Sequence, residues 1–238
     1  MMTNSRIADI LKEILNIQKE PVAVKAWKEE PQSVRKYEER AFPGMCTQIG
    51  EVLKSGETFY TNLDHQFCTG GVVATGVALP PNEEERTEML RLHLEVSRGY
   101  RDIDTSIHYL YESEKLIPPV IGTNAAVQLG LFRDVPDPDI VLIFLTPRSA
   151  DMLNRTYCYV VGEPVLGFGG NGGCPFAIQY PFVTGKPSFT YSDVAWRKYI
   201  GLAEGELTAS YPYQTLVRLM EDLPAVADAY NKYGEYPE

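Results

Sequence analysis

Residues 136–149 read PDPDIVLIFLTPRS, and the seven residues DIVLIFL (139–145) at their centre decide the fold. Six apolar side chains follow one another there without alternation, bounded by PDPD before and Pro147 after, the pattern of a strand buried on both faces. Downstream, Ser149 is placed to cap a helix that ends near Gly162, and VLGFGGNGGCPF (165–176) reads as a glycine-rich loop. Ser192 or Asp193 opens a further helix, and the amphipathic stretch 211–233 is kinked or divided at Pro224. Upstream, Ile7, Ile10, Leu11, Ile14 and Leu15 recur at helical spacing, with Asn4 or Ser5 as N-cap, and VAVKAW (22–27) reads as a strand. A polar, proline-punctuated excursion (28–44), a helix over 45–54 and a strand in TFYTNL (58–63) follow. CTGGVVATGVAL (68–79) reads as a small-residue helix, 83–98 and 104–114 as two more, and 125–130 as a short strand. Interspersed strands and helices, with no linker or low-complexity segment, predict a single α+β domain over 1–238, a mixed β-sheet core covered by helices.

The 238 residues carry 22 Lys and Arg against 32 Asp and Glu, a formal net charge of −10. Nucleic-acid backbones and anionic membrane surfaces repel such a chain, so neither is expected as a partner. Residues 3–20 are charged throughout, without the apolar h-region of a signal peptide, and no run of about 18 apolar residues occurs. A cytoplasmic setting is expected, in which the four cysteines stay free thiols; four are too few for a disulfide scaffold.

Two stretches, about 22–78 and 139–183, share an order of features: strand, helix, Gly-Glu, short extended segment, cysteine. Cys68 lies twelve residues beyond Gly56 and Cys174 twelve beyond Gly162. An internal duplication would set these cysteines at equivalent ends of related units, facing each other across a pseudo-two-fold axis; recurrent C-cap chemistry is the alternative.

Cys46 opens a predicted helix after Pro-Gly and Cys68 opens another before Gly70-Gly71, positions where the helix dipole favours a thiolate. Cys174 follows Gly172-Gly173, where backbone N–H groups can approach a sulfur or an anion, whereas Cys158, inside TYCYVV, reads as core. Three thiolates suit an iron–sulfur cluster with one open iron, or zinc with His65 as fourth ligand. Separate packing roles for the three are the competing reading. Arg197 is an anion-binding candidate if its helix borders the glycine loop, and a surface salt bridge otherwise. His93 and His108 fall on charged helices and are expected in solvent. GFGGNG (167–172) matches G-x-G-x-x-G, but Cys174-Pro175 follows where a dinucleotide fingerprint needs a long helix. Asp102 and Asp104 form either an acid–base pair or a helix cap. No serine-hydrolase elbow, zinc-protease motif or Walker A sequence is present.

PVAVKAW, Cys46 before a helix ending in Gly-Glu, Cys68-Thr-Gly-Gly, PDIVLIFLTP, Cys174 after glycines, Arg197 and Tyr211-Pro212 together resemble the domain-of-unknown-function family 169 of archaea and anaerobic bacteria, over Ile7 to Leu223. The resemblance implies a shared fold and cysteines at 46, 68 and 174, with no dependence on Cys158, and supplies no activity. It also implies a more apolar segment than GTNAAVQLG (122–130), so that strand departs from the family's pattern. The leading expectation is a metal ion or iron–sulfur cluster on Cys46, Cys68 and Cys174, serving redox or cofactor-linked metabolism with a small molecule or redox partner. Gly70, Gly71, Gly172, Gly173 and Arg197 would contact the cofactor. The alternatives are a small-ligand-binding module with an aromatic, glycine-lined pocket, and single-thiol catalysis, chiefly by Cys68.

Overall fold

The computed structural model describes residues 2–38, 44–65, 68–97, 99–120, 122 and 124–233. Its elements in chain order are α1 (Asn4–Leu15), β1 (Val22–Trp27), α2 (Met45–Ser55), β2 (Phe59–Thr61), α3 (Thr69–Ala74), α4 (Glu83–Ser97), α5 (Ile103–Leu116), β3 (Ala126–Leu131), β4 (Ile140–Leu145), α6 (Pro147–Val161), β5 (Leu166–Phe168), a π-helical segment (Pro175–Gln179) running into α7 (Tyr180–Thr184), β6 (Ser188–Thr190), α8 (Val194–Ile200), β7 (Leu207–Pro212), α9 (Tyr213–Leu219) and α10 (Leu223–Tyr233). The expected end of α4 at Arg98, residues 39–43 of the polar excursion, and the side chains of Leu92 and His93 lie outside the described residues.

The strands form one sheet in the order β2-β3-β1-β4-β7-β6-β5, antiparallel throughout except for the parallel β5–β6 pair, so the fold is α+β with a mixed sheet. β4, the apolar run, lies at the centre with all six residues buried. Period-two alternation sends Val141, Ile143 and Leu145 to one face, where they pack with Ile7 and Leu11 of α1, Leu153 of α6, Leu216 of α9 and Leu223 of α10. Ile140, Leu142 and Phe144 point to the other, against Ile49 of α2, Ile178, and Trp196 of α8. β1 and β4 meet antiparallel with Ala23 opposite Val141 and Val22 and Val24 opposite Leu142 and Ile140, a register symmetrical about that middle pair. Each then pairs over six residues with its outer neighbour, β3 or β7.

β3 forms fully between β1 and β2 despite its polar residues. Gln128 is buried there with its Oε1 accepting the indole N–H of Trp27 at 3.0 Å, which offsets part of the cost of burying the amide. The caps differ from the sequence expectation. Thr3 caps α1, which frees Asn4 to bridge the Phe132 and Val135 carbonyls and the Tyr213 hydroxyl. Thr146 caps α6, while the Ser149 hydroxyl donates to the Leu15 carbonyl at 2.7 Å. The small-residue helix stops at Ala74, since Gly76 takes a φ of 69° and Asn124 donates to the Thr75 carbonyl. Cys158 is exposed rather than core. The buried face of α6 runs through Leu153, Thr156 and Tyr157, and one further residue turns about 100° away from it. Among the described residues no helix is long and apolar enough to cross a membrane.

Candidate functional site around three cysteines

Cys46, Cys68 and Cys174 come together on one face of the sheet. Cys46 stands in the first turn of α2, Cys68 is the residue before α3, and Cys174 leads into the π-helical segment. Gly44 sits between the first two: a Cβ built on it would lie 3.6 Å from the Cys68 Cβ and 3.9 Å from the Cys46 Sγ. The third sulfur lies close to the same point, and the interaction between the Cys174 and Cys68 thiols shifts both groups in opposite directions. That interaction is the largest influence holding the Cys68 pKa down, to about 6. Burial opposes it, and the backbone N–H groups of Gly71, Met45 and Gly70 reinforce it. Cys174 is correspondingly raised well above the ordinary thiol range, by its interaction with Cys68 and by burial. Burial also pushes Cys46 up to about 12, helped by the nearby Cys68 and Asp193 charges. The environment therefore favours the ionised form at Cys68 and the protonated form at Cys46 and Cys174.

Local sequence explains the arrangement. Gly70 and Gly71 leave the backbone beside Cys68 uncovered; the Gly71 N–H donates to the Cys68 carbonyl at 3.0 Å, and the dipoles of both N–H groups help to lower the thiol pKa. Gly172 and Gly173 act differently. A Cβ on Gly173 would lie 2.6 Å from the Trp196 ring, and its N–H donates to Asp193 Oδ2 at 2.7 Å, so this glycine serves packing and loop closure. A Cβ on Gly172 would meet Pro175 at 3.4 Å. The glycine loop contains β5 and leads at once into helix, yet its Gly173 N–H is already taken by a carboxylate, and Gly170 is pressed against the Tyr109 hydroxyl. The π-helical start of that helix is an irregularity that recurs at functional positions; the Ser188 hydroxyl donates to its Phe176 carbonyl at 2.7 Å.

Arg197 is committed elsewhere. Its guanidinium donates to the carbonyls of Tyr191, Glu206, Ala203 and Glu204, which ties down the loop after α8 and forms neither an anion site nor a salt bridge. His65 ends the 3-10 turn Leu63–His65; its carbonyl accepts from Gln48 of α2, and its buried Nδ1 is without a hydrogen-bond partner. Asp102 is a helix cap, accepting from the Thr105 N–H at 2.8 Å. Among the described residues no three His, Cys, Asp or Glu side chains are placed to hold a metal ion as they stand.

Asp193, Tyr100 and Tyr109 escape the sequence reading as site residues. Asp193 caps α8 through the Trp196 N–H at 2.8 Å while binding Gly173, and its charge acts on Cys46, Cys174, Tyr100 and Tyr109. The two tyrosine rings pack 5.3 Å apart. Burial, then the neighbouring Tyr109, lifts Tyr100 to about 12, and burial raises Tyr109 as well, so both are neutral donors. The only sequence signal was the Ser-Asp cap; convergence of residues 100, 109 and 193 arises from long-range packing.

The model of the DUF169 family, described as "Uncharacterised ArCR", matches residues 10–222. No curated protein and no solved structure matches the chain.

Proposed function

This chain belongs to the DUF169 family, and from that premise we propose that it is a cytoplasmic, thiol-dependent protein acting on a small molecule, with Cys68 as nucleophile and Cys174 as the partner that keeps it ionised. The observation that carries this reading is the placement of Cys174 beside Cys68 at the start of α3, among the Met45, Gly70 and Gly71 N–H groups, all of which pull the Cys68 pKa down. A thiolate is the reactive form of cysteine, and a pKa just under ambient pH combines high ionisation with retained nucleophilicity. Cys174 stays protonated throughout, so it stabilises the thiolate without competing for the electrophile. Neutral Tyr100 and Tyr109 are hydrogen-bond donors near the same region.

Iodoacetamide labelling with site identification by mass spectrometry tests this. Cys68 is expected to react at least about tenfold faster than exposed Cys158 at pH 7, with a rate that rises through pH 6 and then levels, because only the deprotonated form reacts. Cys174→Ala should move that inflection upward by removing the donor. Equal labelling of Cys68 and Cys158, or an inflection unmoved by Cys174→Ala, would overturn the assignment.

A second reading is favoured by the meeting of three sulfurs from separate segments: a metal ion or iron–sulfur cluster held by Cys46, Cys68 and Cys174, with His65 as a further ligand. The donor set suits a soft metal or a cluster. Bound, such a group would supply Lewis-acid or one-electron chemistry, while the N–H groups of Gly70, Gly71 and Met45 would offset sulfur charge. Protein purified without oxygen would then contain metal near one equivalent, protect Cys68 from iodoacetamide, and lose that protection on chelation.

A further inference from the structure

Beside the cysteines lies a cavity of about 130 Å³, open to solvent on one side, between α3, α4, α5 and the π-helical segment. Its wall includes Gly70, Val73, Met89, Leu110, Ile117 and Pro175. Two of these connect it to the sulfurs. Pro175 adjoins Cys174 in the chain, and a Cβ on Gly70 would meet one atom within 4 Å, the Cys68 Sγ at 3.8 Å. Gly70 is thus the wall position that stands against the reactive sulfur, and it places no side chain between the two. At the α4–α5 wall Arg86 is not free to bind an anion: it pairs with Glu114 at 2.6 Å and donates to the Pro81 carbonyl. The adjacent aromatic side chains fill space with one another, as in the stacked Phe168–Phe176 pair at 4.9 Å, instead of lining an open slot.

Resting on the assignment of Cys68 as nucleophile, we propose that this cavity binds the hydrocarbon portion of the substrate, an electrophile whose apolar group of about six carbons enters between α3, α4 and α5 while its reactive carbon is held at Cys68. The size follows from volume: an apolar cavity of about 150 Å³ takes up benzene. The class follows from the wall, which is mostly apolar: Thr69, Ser113 and Gln179 are its neutral polar members, and its Arg86 and Glu114 charges are paired with each other.

The test compares iodoacetamide with its N-butyl and N-hexyl derivatives on the full chain. In each reaction the Cys68 thiolate forms an Sγ–C bond as the C–I bond breaks; iodide leaves with the electron pair and no proton moves. Each methylene buried is worth up to about fourfold in affinity. The hexyl reagent should therefore label Cys68 at least about tenfold faster than iodoacetamide, with no such preference at Cys158. Met89→Trp, which fills the cavity from the partly exposed helix α4, should abolish the preference, so that the hexyl reagent and iodoacetamide label Cys68 at similar rates. Fast but chain-independent labelling of Cys68, or a preference that survives Met89→Trp, overturns the cavity assignment and leaves the nucleophile standing. Slow labelling of Cys68 by all three reagents instead removes the nucleophile, and the cavity assignment with it.

Discussion

The two faces of the central sheet are built by alternate residues of the same strands, yet only one of them carries the three clustered cysteines. Beneath Val141, Ile143 and Leu145 lie α1, α6, α9 and α10 and an apolar cluster running from Ile7 to Ala227. Polar side chains on that side, such as Asn4 and Ser149, are spent on tying elements together. Above Ile140, Leu142 and Phe144, the packing is interrupted by chain segments that meet end-on: the start of α2, the start of α3, and the glycine loop entering the π-helical segment. Where segments end, backbone N–H groups lack helical partners and become available to a sulfur. The difference teaches that the thiolate is a product of interrupted packing, braced from behind by a face that is uninterrupted.

Truncating β4 on each side would break this comparison most directly. Ile143→Ala opens a cavity under the helical layer and should cost about 2–5 kcal/mol in urea unfolding. The molecules that remain folded should label at Cys68 with the wild-type rate. Leu142→Ala should cost a similar amount, but its cavity lies under the site, so the Cys68 rate should change as well. Equal effects of both substitutions on labelling would mean that the two faces are not independent.

Gly173→Ala probes the site's face alone. The added Cβ would stand 2.6 Å from Trp196, whose indole is fully buried and whose Nε1 donates to Thr208, so the ring has little room to yield. Overpacking of this kind costs about 1–3 kcal/mol. It should also displace the Gly173–Asp193 link and with it the setting of Cys174. A lowered unfolding midpoint with a changed near-ultraviolet signal from Trp196 and a shifted Cys68 labelling profile is the expected result; a lowered midpoint alone would separate the loop from the thiol pair.

How much of this was legible in the sequence depended on the range of the interactions involved. A run like DIVLIFL can satisfy its side chains only between two layers, so its central position followed from residue type alone. The three candidate cysteines stood out because each lies at a helix start or beside glycines, both local signals. β3 was obscured by Gln128, whose acceptability rests on a partner 101 residues away in Trp27. Arg197 looked like an anion binder because nothing local announces that the carbonyls of 203, 204 and 206 turn back to meet it. Asp193 was visible as a cap, and its second task at Gly173 was not, since that needs a contact across twenty residues.

Cys158 supplies the smallest effect and the sharpest control. It is a cysteine on a well-formed helix, one residue from buried Tyr157, and composition alone does not separate it from the other three. What separates it is phase: it follows the last buried position of α6 and turns outward beside Tyr159, which is 72% exposed. In mid-helix its neighbouring N–H groups are committed to the helical ladder, so none is available to hold a thiolate. Cys158→Ser should therefore change stability by no more than about 0.5 kcal/mol, and leave both the rate and the pH inflection of Cys68 labelling where they were. A Cys158→Ser protein whose Cys68 reacted more slowly would show the thiols communicating through the sheet, and the division of labour between its faces would no longer hold.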